Sequence, residues 1–234
     1  MLAQRSTFSN RADAGRQLAE ALLASDLRDP VVVALPRGGV PVGFEIAQRL
    51  AAPLHVLIVR KIGAPGHPEI GIGAVVHGRE PHVVVSEEAA RQFQLPPGYI
   101  AAERDRQLAE IDRRRRMYLG EDADKTPDHA GRPIVLVDDG VANGVSIRAA
   151  IARLREIGVS SIHVAVPVAP AAVVELLSQE VEQVTCLATP ERLDGVSLFY
   201  DDFDQVDDQE VIRLLKLARE DMARRARSDV HRGE

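Results

Sequence analysis

The spacing of hydrophobic residues changes period repeatedly along this chain. ADAGRQLAEALLA places Ala14, Leu18, Ala21 and Leu22 on one helical face, with Asn10 as the N-cap and Asp13 three residues on. After Pro30 the run VVVAL (31–35) is continuous rather than alternating, the pattern of a parallel strand covered on both faces. PRGGVP follows, then a short helix marked by Val42, Ile46 and Leu50, then LHVLIV (54–59) as the next strand. IGAVV (72–76) and HVVVS (82–86) read as strands, an amphipathic helix is predicted over 99–118, and 120–133 is a polar loop. IVLV (134–137), a helix from Ser146 to Ile157 stopped by Gly158, IHVAVPV, the helix AAVVELLSQ and the strand VTCLA complete the alternation.

Strands alternating with helices predict an α/β fold, doubly wound about a mostly parallel sheet. The chain reads as a single domain over 1–220, with its core at about 10–76 and 132–190. An insertion at about 77–131 and a C-terminal segment at about 190–220 are expected to form a small cap, and 221–234 a flexible tail.

Composition narrows the function classes. Aromatics make up 3% of 234 residues and Trp is absent, so Ala, Val, Leu and Ile must fill the core. A net charge of −6 counts against a nucleic-acid partner. RRRR (113–116) does not reverse that: four consecutive helical residues point around the circumference, and Glu110 and Asp112 stand four residues before Arg114 and Arg116. The single Cys186 builds no disulfide or CxxC site. Neither HExxH nor G-x-S-x-G occurs. No signal core or apolar run of about 18 residues is present, so a cytoplasmic protein without a membrane partner is expected.

The candidate chemistry lies where strands end. IVLVDDGVANGVSI (134–147) carries a buried strand into Asp138 and Asp139, then into small residues that open a helix. Small residues let backbone N–H groups approach a ligand, and the helix dipole favours an anion there. The two aspartates repel a phosphate but suit hydroxyl groups or a metal on the same ligand, so a phosphorylated sugar satisfies both halves. ALPRGGVPVG (34–43) repeats the design, with Gly38 and Gly39 in a tight turn and Arg37 adding positive charge.

IVLVDDGVANGVSI resembles the PRPP-binding motif of the type I phosphoribosyltransferases. The resemblance implies that fold, with Asp138 and Asp139 facing the ribose hydroxyls and Ala142, Asn143, Gly144, Val145 and Ser146 wrapping the 5′-phosphate. Asn143 and Ser146 stand where Thr is common, and both can still donate a hydrogen bond. PRGG resembles the family's pyrophosphate loop, Arg37 to Gly39. VRKIGAPGHPEIGIGAV (59–75) falls where such enzymes carry a mobile loop, which gives Lys61 a catalytic role on the departing pyrophosphate and could bring His67 and Glu69 into the site. In LFYDDFDQ, Phe199, Tyr200 and Asp202 are candidates to cap a base, or the rings pin the C-terminal helix to the core. Together with PRGG, RKIGAPG and VDDG, this stretch resembles the uncharacterised stand-alone branch of predicted phosphoribosyltransferases, over most of 8–215.

The resemblance implies transfer of the phosphoribosyl group of PRPP to a nitrogenous base with release of pyrophosphate. Mg2+ would arrive with PRPP, near Asp138 and Asp139, rather than in a protein cage. A homodimer is expected from the family. The alternative on the same fold is a regulator that senses PRPP or nucleotide without turnover.

Overall fold

The computed structural model describes residues 7–25, 27–76, 81–120 and 129–230. The chain divides into two compact units. One takes in Met1–Val56, Pro127–Asn143 and Val159–Glu234, the other Leu57–Thr126 and Gly144–Gly158.

The first unit is built on a five-stranded parallel sheet in the order β2-β1-β6-β7-β8. Its strands are β1 (Val31–Ala34), β2 (Leu54–Val56), β6 (Pro133–Val137), β7 (Ser161–Val168) and β8 (Gln183–Ala188). Every residue of β1 is buried, as are all but the first of β6 and of β7, which is why these runs are continuously apolar. Helix α1 (Arg11–Leu22) packs on α2 (Gly39–Leu50), β7 and β8, α6 (Ala171–Ser178) packs on β8, and α7 (Asp208–Val230) packs on α2 and β2. The α1 cap forms as the sequence implies, with the Asp13 N–H donating to Asn10 Oδ1. Its buried face is Ala14, Gly15, Leu18, Ala19 and Leu22, so Ala19 rather than Ala21 completes the stripe. Of the expected tail, residues 221–230 continue α7, and 231–234 lie outside the described residues.

The second unit holds an antiparallel sheet, β3-β4-β5. Its strands are β3 (Val59–Ala64), β4 (His67–Val76) and β5 (His82–Val85). Helices α3 (Glu87–Gln92), α4 (Tyr99–Leu119) and α5 (Val145–Ile157) belong to the same unit. Here two expectations change. LHVLIV is not one strand, because pairing with β1 stops at Val56 and β3 pairs with β4 instead. The stretch read as a mobile loop is a hairpin, turning at Pro65 and Gly66, where φ is +71°. Of β4 only IGAVV (72–76) is expected as strand from the sequence, and Gly73 within it serves close packing: a Cβ on it would lie 2.5 Å from the Val84 carbonyl oxygen. The boundary between units thus falls at Val56/Leu57, upstream of the expected insertion, and α5 joins the second unit.

The two faces of the three-stranded sheet differ. Val59, Ala74, Val76 and Val84 pack with Val145 and Ala149 of α5. Arg60, the next residue of β3, bonds instead to Gln107 of α4. Strand alternation therefore puts Lys61 on the α5 face and Arg60 on the α4 face. No described helix is long and apolar enough to cross a membrane.

Candidate active site

β1 and β6 are neighbours, yet the chain leaves them in opposite directions, to β2 on one side and to β7 and β8 on the other. Such a reversal opens a crevice beyond the carboxyl ends of the two strands, the usual ligand position in open α/β sheets. Both motifs singled out from the sequence end there. The ladder runs to Ala34 opposite Val137, and the Leu35 N–H donates to the Val137 carbonyl oxygen at 2.9 Å, so PRGG leaves β1 directly beside DDG.

The glycine pair is explained by that closeness. A Cβ on Gly38 would fall 1.9 Å from Asp139 Oδ2, and one on Gly39 would fall 2.8 Å from the Val137 carbonyl oxygen. Gly38 has ordinary right-handed helical angles, so the demand is for room rather than for unusual backbone. Arg37 follows a cis Pro36–Arg37 peptide, and its Nη1 lies 3.8 Å from Asp208 Oδ1 at the start of α7.

The two aspartates are held differently. Asp138 Oδ1 accepts the Asp139 N–H at 2.9 Å. Asp139 Oδ2 accepts Arg11 Nε at 2.7 Å. Arg11 is itself fixed, since Nη1 donates to the Asp204 carbonyl oxygen at 2.7 Å and Cζ lies 3.7 Å from the centre of the Phe203 ring. Beneath, the Tyr200 hydroxyl donates to the Asp139 carbonyl oxygen at 2.6 Å. Burial pushes the Asp138 carboxyl well above the usual range, and the neighbouring Asp139 adds to the shift. Burial raises Asp139 as well, while Arg11 pulls the other way. Among the described residues one bonded cation serves two desolvated carboxylates, which leaves the pair under-compensated and favours a ligand that donates hydrogen bonds or brings positive charge.

From Asp139 the chain continues through the exposed Ala142 and Asn143 to Gly144, which takes a left-handed conformation (φ 76°) and starts α5. Gly144, the N-cap, has no side chain to cap this helix, and the first turn carries no acid. The start of α2 at Gly38 is alike, whereas α1 has both a side-chain cap and an acid. A first turn without an acid leaves the positive end of the helix dipole for an anion. Lys61, within the second unit, is exposed on the sheet face that α5 covers, and its side chain runs across Gly71.

The other candidates fare less uniformly. Tyr200 is 5% exposed and packs between Phe8 and Phe203, with ring centres 5.3 and 4.8 Å away, so it is a pin and not an open stacking face. Phe199 is half-buried against the same cluster. Asp202 is exposed, and its Oδ1 accepts the Asp204 N–H. His67 is exposed and tilts against Phe93 at 6.5 Å; the Glu69 side chain lies outside the described residues. Arg113 and Arg114 both bond to Glu110, in keeping with a helix surface laced by ion pairs. Sequence reasoning missed Arg11. Its signal was a cation in the first turn of α1, where the helix dipole disfavours one unless an acid such as Asp139 faces it.

Comparison with known proteins bears on the same residues. The phosphoribosyl transferase domain family matches residues 7–198. A Mycobacterium tuberculosis H37Rv protein, provisionally named a phosphoribosyl transferase, is 39% identical over 216 residues, which is 92% of this chain and 48% of that protein. The same figures hold for its counterpart in strain CDC 1551. The chain thus spans about half the length of these relatives. Among solved structures, TT1426 from Thermus thermophilus is 40% identical with a TM-score of 0.72, covering 89% of this chain and 97% of that one.

Proposed function

We propose, from the premise that this chain belongs to the phosphoribosyl transferase family, that it moves the 5-phosphoribosyl group of PRPP to a nitrogenous base and releases pyrophosphate. The observation that carries the reading is the meeting of Asp138–Asp139 with the PRGG turn where the strand order reverses. In this account the acids orient the ribose hydroxyls, and Arg11 holds Asp139 so that its remaining oxygen addresses the sugar. The backbone from Ala142 to Ser146 receives the 5′-phosphate, and Arg37, Gly38 and Gly39 receive the pyrophosphate. Lys61 is proposed to offset charge on that leaving group.

The donor set fits magnesium carried in by PRPP. Two adjacent carboxylates offer hard oxygens, and a half-buried pair bonded to Arg11 gains from added positive charge. Asp138 and Asp139 would hold the ion, which supplies charge neutralisation for the diphosphate. The reaction's transition state is oxocarbenium-like, so the chain's own groups act by positioning and by holding charge. A homodimer is proposed on the family's habit alone.

Calorimetry with Mg–PRPP, followed by a pyrophosphate-release assay across purine, pyrimidine and nicotinate-type bases, tests the reading. Binding with release for one base class is the expected result. Binding without release for any base would move the chain to the sensing role, and no binding would remove both readings.

A further inference from the structure

We infer that the second unit carries an oxyanion-binding site of its own, on the α4 face of its three-stranded sheet, for a phosphate or carboxylate on a small ligand. The inference stands apart from the transferase reading, because the α5 start and Lys61 belong to the opposite face.

A cavity of about 220 Å³ lies between β3 and α4, with Arg60, Tyr99, Glu103, Arg106 and Gln107 among its walls and Lys61 also contributing. Glu103 and Gln107 are one helical turn apart and only 7% and 9% exposed. Ile111, one turn further along the same row, is buried and apolar. A helix packing for stability alone would continue that apolar stripe through positions 107 and 103. Instead these positions build a polar scaffold. Gln107 Nε2 donates to Glu103 Oε1 at 2.6 Å, while Gln107 Oε1 accepts Arg60 Nε at 2.9 Å.

The scaffold leaves donors available but few acceptors. Arg106 bonds both oxygens of Glu103, at 2.8 and 2.6 Å, and the Tyr99 hydroxyl donates to the Gly63 carbonyl oxygen. Arg60 uses Nε alone, and its two terminal nitrogens have no hydrogen-bond partner among the described residues. A half-buried guanidinium fork anchored at one edge and open at the other matches a planar or tetrahedral oxyanion. The formal charge agrees: among the cavity's walls, Arg60 and Arg106 stand against the single carboxylate of Glu103. The cavity is smaller than the ~300 Å³ at which sites for drug-sized ligands begin, so the anion rides on a small body.

The test is a titration of the full chain with inorganic phosphate and, separately, with benzoate, read by the Arg Nε–Hε signals in NMR. A saturable shift of the Arg60 signal with either probe supports the site, and the responding probe assigns phosphate or carboxylate chemistry. Arg60→Met should weaken that binding about tenfold or more by calorimetry. Arg60→Lys, which keeps charge without the fork, should restore it only partly. Asp138→Asn should leave the Arg60 response intact, which separates this site from the acid pair. No saturable shift of Arg60 in the wild-type chain with either probe overturns the inference whether or not the variants fold. Unchanged affinity in a folded Arg60→Met overturns it too.

Discussion

β6 and β7 are adjacent parallel strands, equally buried, and each ends at the same edge of one sheet. β7 leaves through Ala169 and Pro170, and its backbone is consumed locally: the Ala169 N–H donates to the Ala188 carbonyl oxygen and the Ala171 N–H to that of Pro190. β6 leaves through two desolvated aspartates and a left-handed glycine. Since both strands are otherwise alike, stability does not explain the difference. Placing acids in such a position costs folding free energy, and the PRGG turn is trimmed to admit them. The contrast supports the proposal of chemistry at the β6 exit and plain connection at the β7 exit.

The strongest way to break the contrast is to neutralise the acids. Asp138→Asn combined with Asp139→Asn should weaken Mg–PRPP binding about a hundredfold or more, from the loss of two charged hydrogen-bonding groups, as calorimetry would show. The converse substitution sharpens it. Ala169 is fully buried, so Ala169→Asp places an uncompensated carboxylate at the β7 exit and should cost roughly 3 kcal/mol in urea unfolding without creating a second PRPP site. Arg11→Met removes the cation that, among the described residues, bonds to Asp139, together with its packing on Phe203. It should destabilise by about 2 kcal/mol and make ligand binding fail at higher pH than in the wild type, because Asp139 then keeps its proton longer.

A smaller effect carries the opposite sign. Folded Asp138 holds its proton to higher pH than the unfolded chain does, so from about pH 4 upward the unfolded state ionises first and stability falls until the folded carboxyl ionises as well. Asp138→Asn removes that loss. The ligand-free variant should therefore melt at a higher temperature than the wild type at neutral pH, although it binds PRPP less well. A melting temperature lowered by this change would mean that the carboxylate is structural.

The smallest signal comes from two histidines remote from the acids. His163 bonds to Thr185 and His55 to His129, and burial lowers each to about 4. The unfolded chain protonates these groups first as pH falls below about 6.5, so stability declines from there toward pH 4 and unfolding in that window takes up protons. Calorimetric unfolding in two buffers of different ionisation enthalpy measures the uptake, and His163→Gln should reduce it.

Much of the sheet was legible because β1, β6 and β7 are continuous apolar runs, and the acids and glycines stood out against them. The strand order that brings PRGG beside DDG was not legible, since pairing depends on non-local contacts. Nor was the β3–β4 hairpin as a whole, of which only IGAVV (72–76) reads as strand while Gly63, Gly66 and Gly71 look like loop residues. Tyr200 could be read either way from composition, and its burial beneath Asp139 decides for the pin. Arg11 was visible only as a misplaced charge at a helix start, which has meaning once its acidic partner is known.

The most direct measurement is a crystal structure of the chain soaked with ribose 5-phosphate and magnesium. The account predicts the sugar hydroxyls within hydrogen-bonding distance of Asp138 and Asp139 and the phosphate on the backbone amides from Ala142 to Ser146. An empty crevice, with Asp138 bonded only to the following N–H and Asp139 only to Arg11, would contradict it.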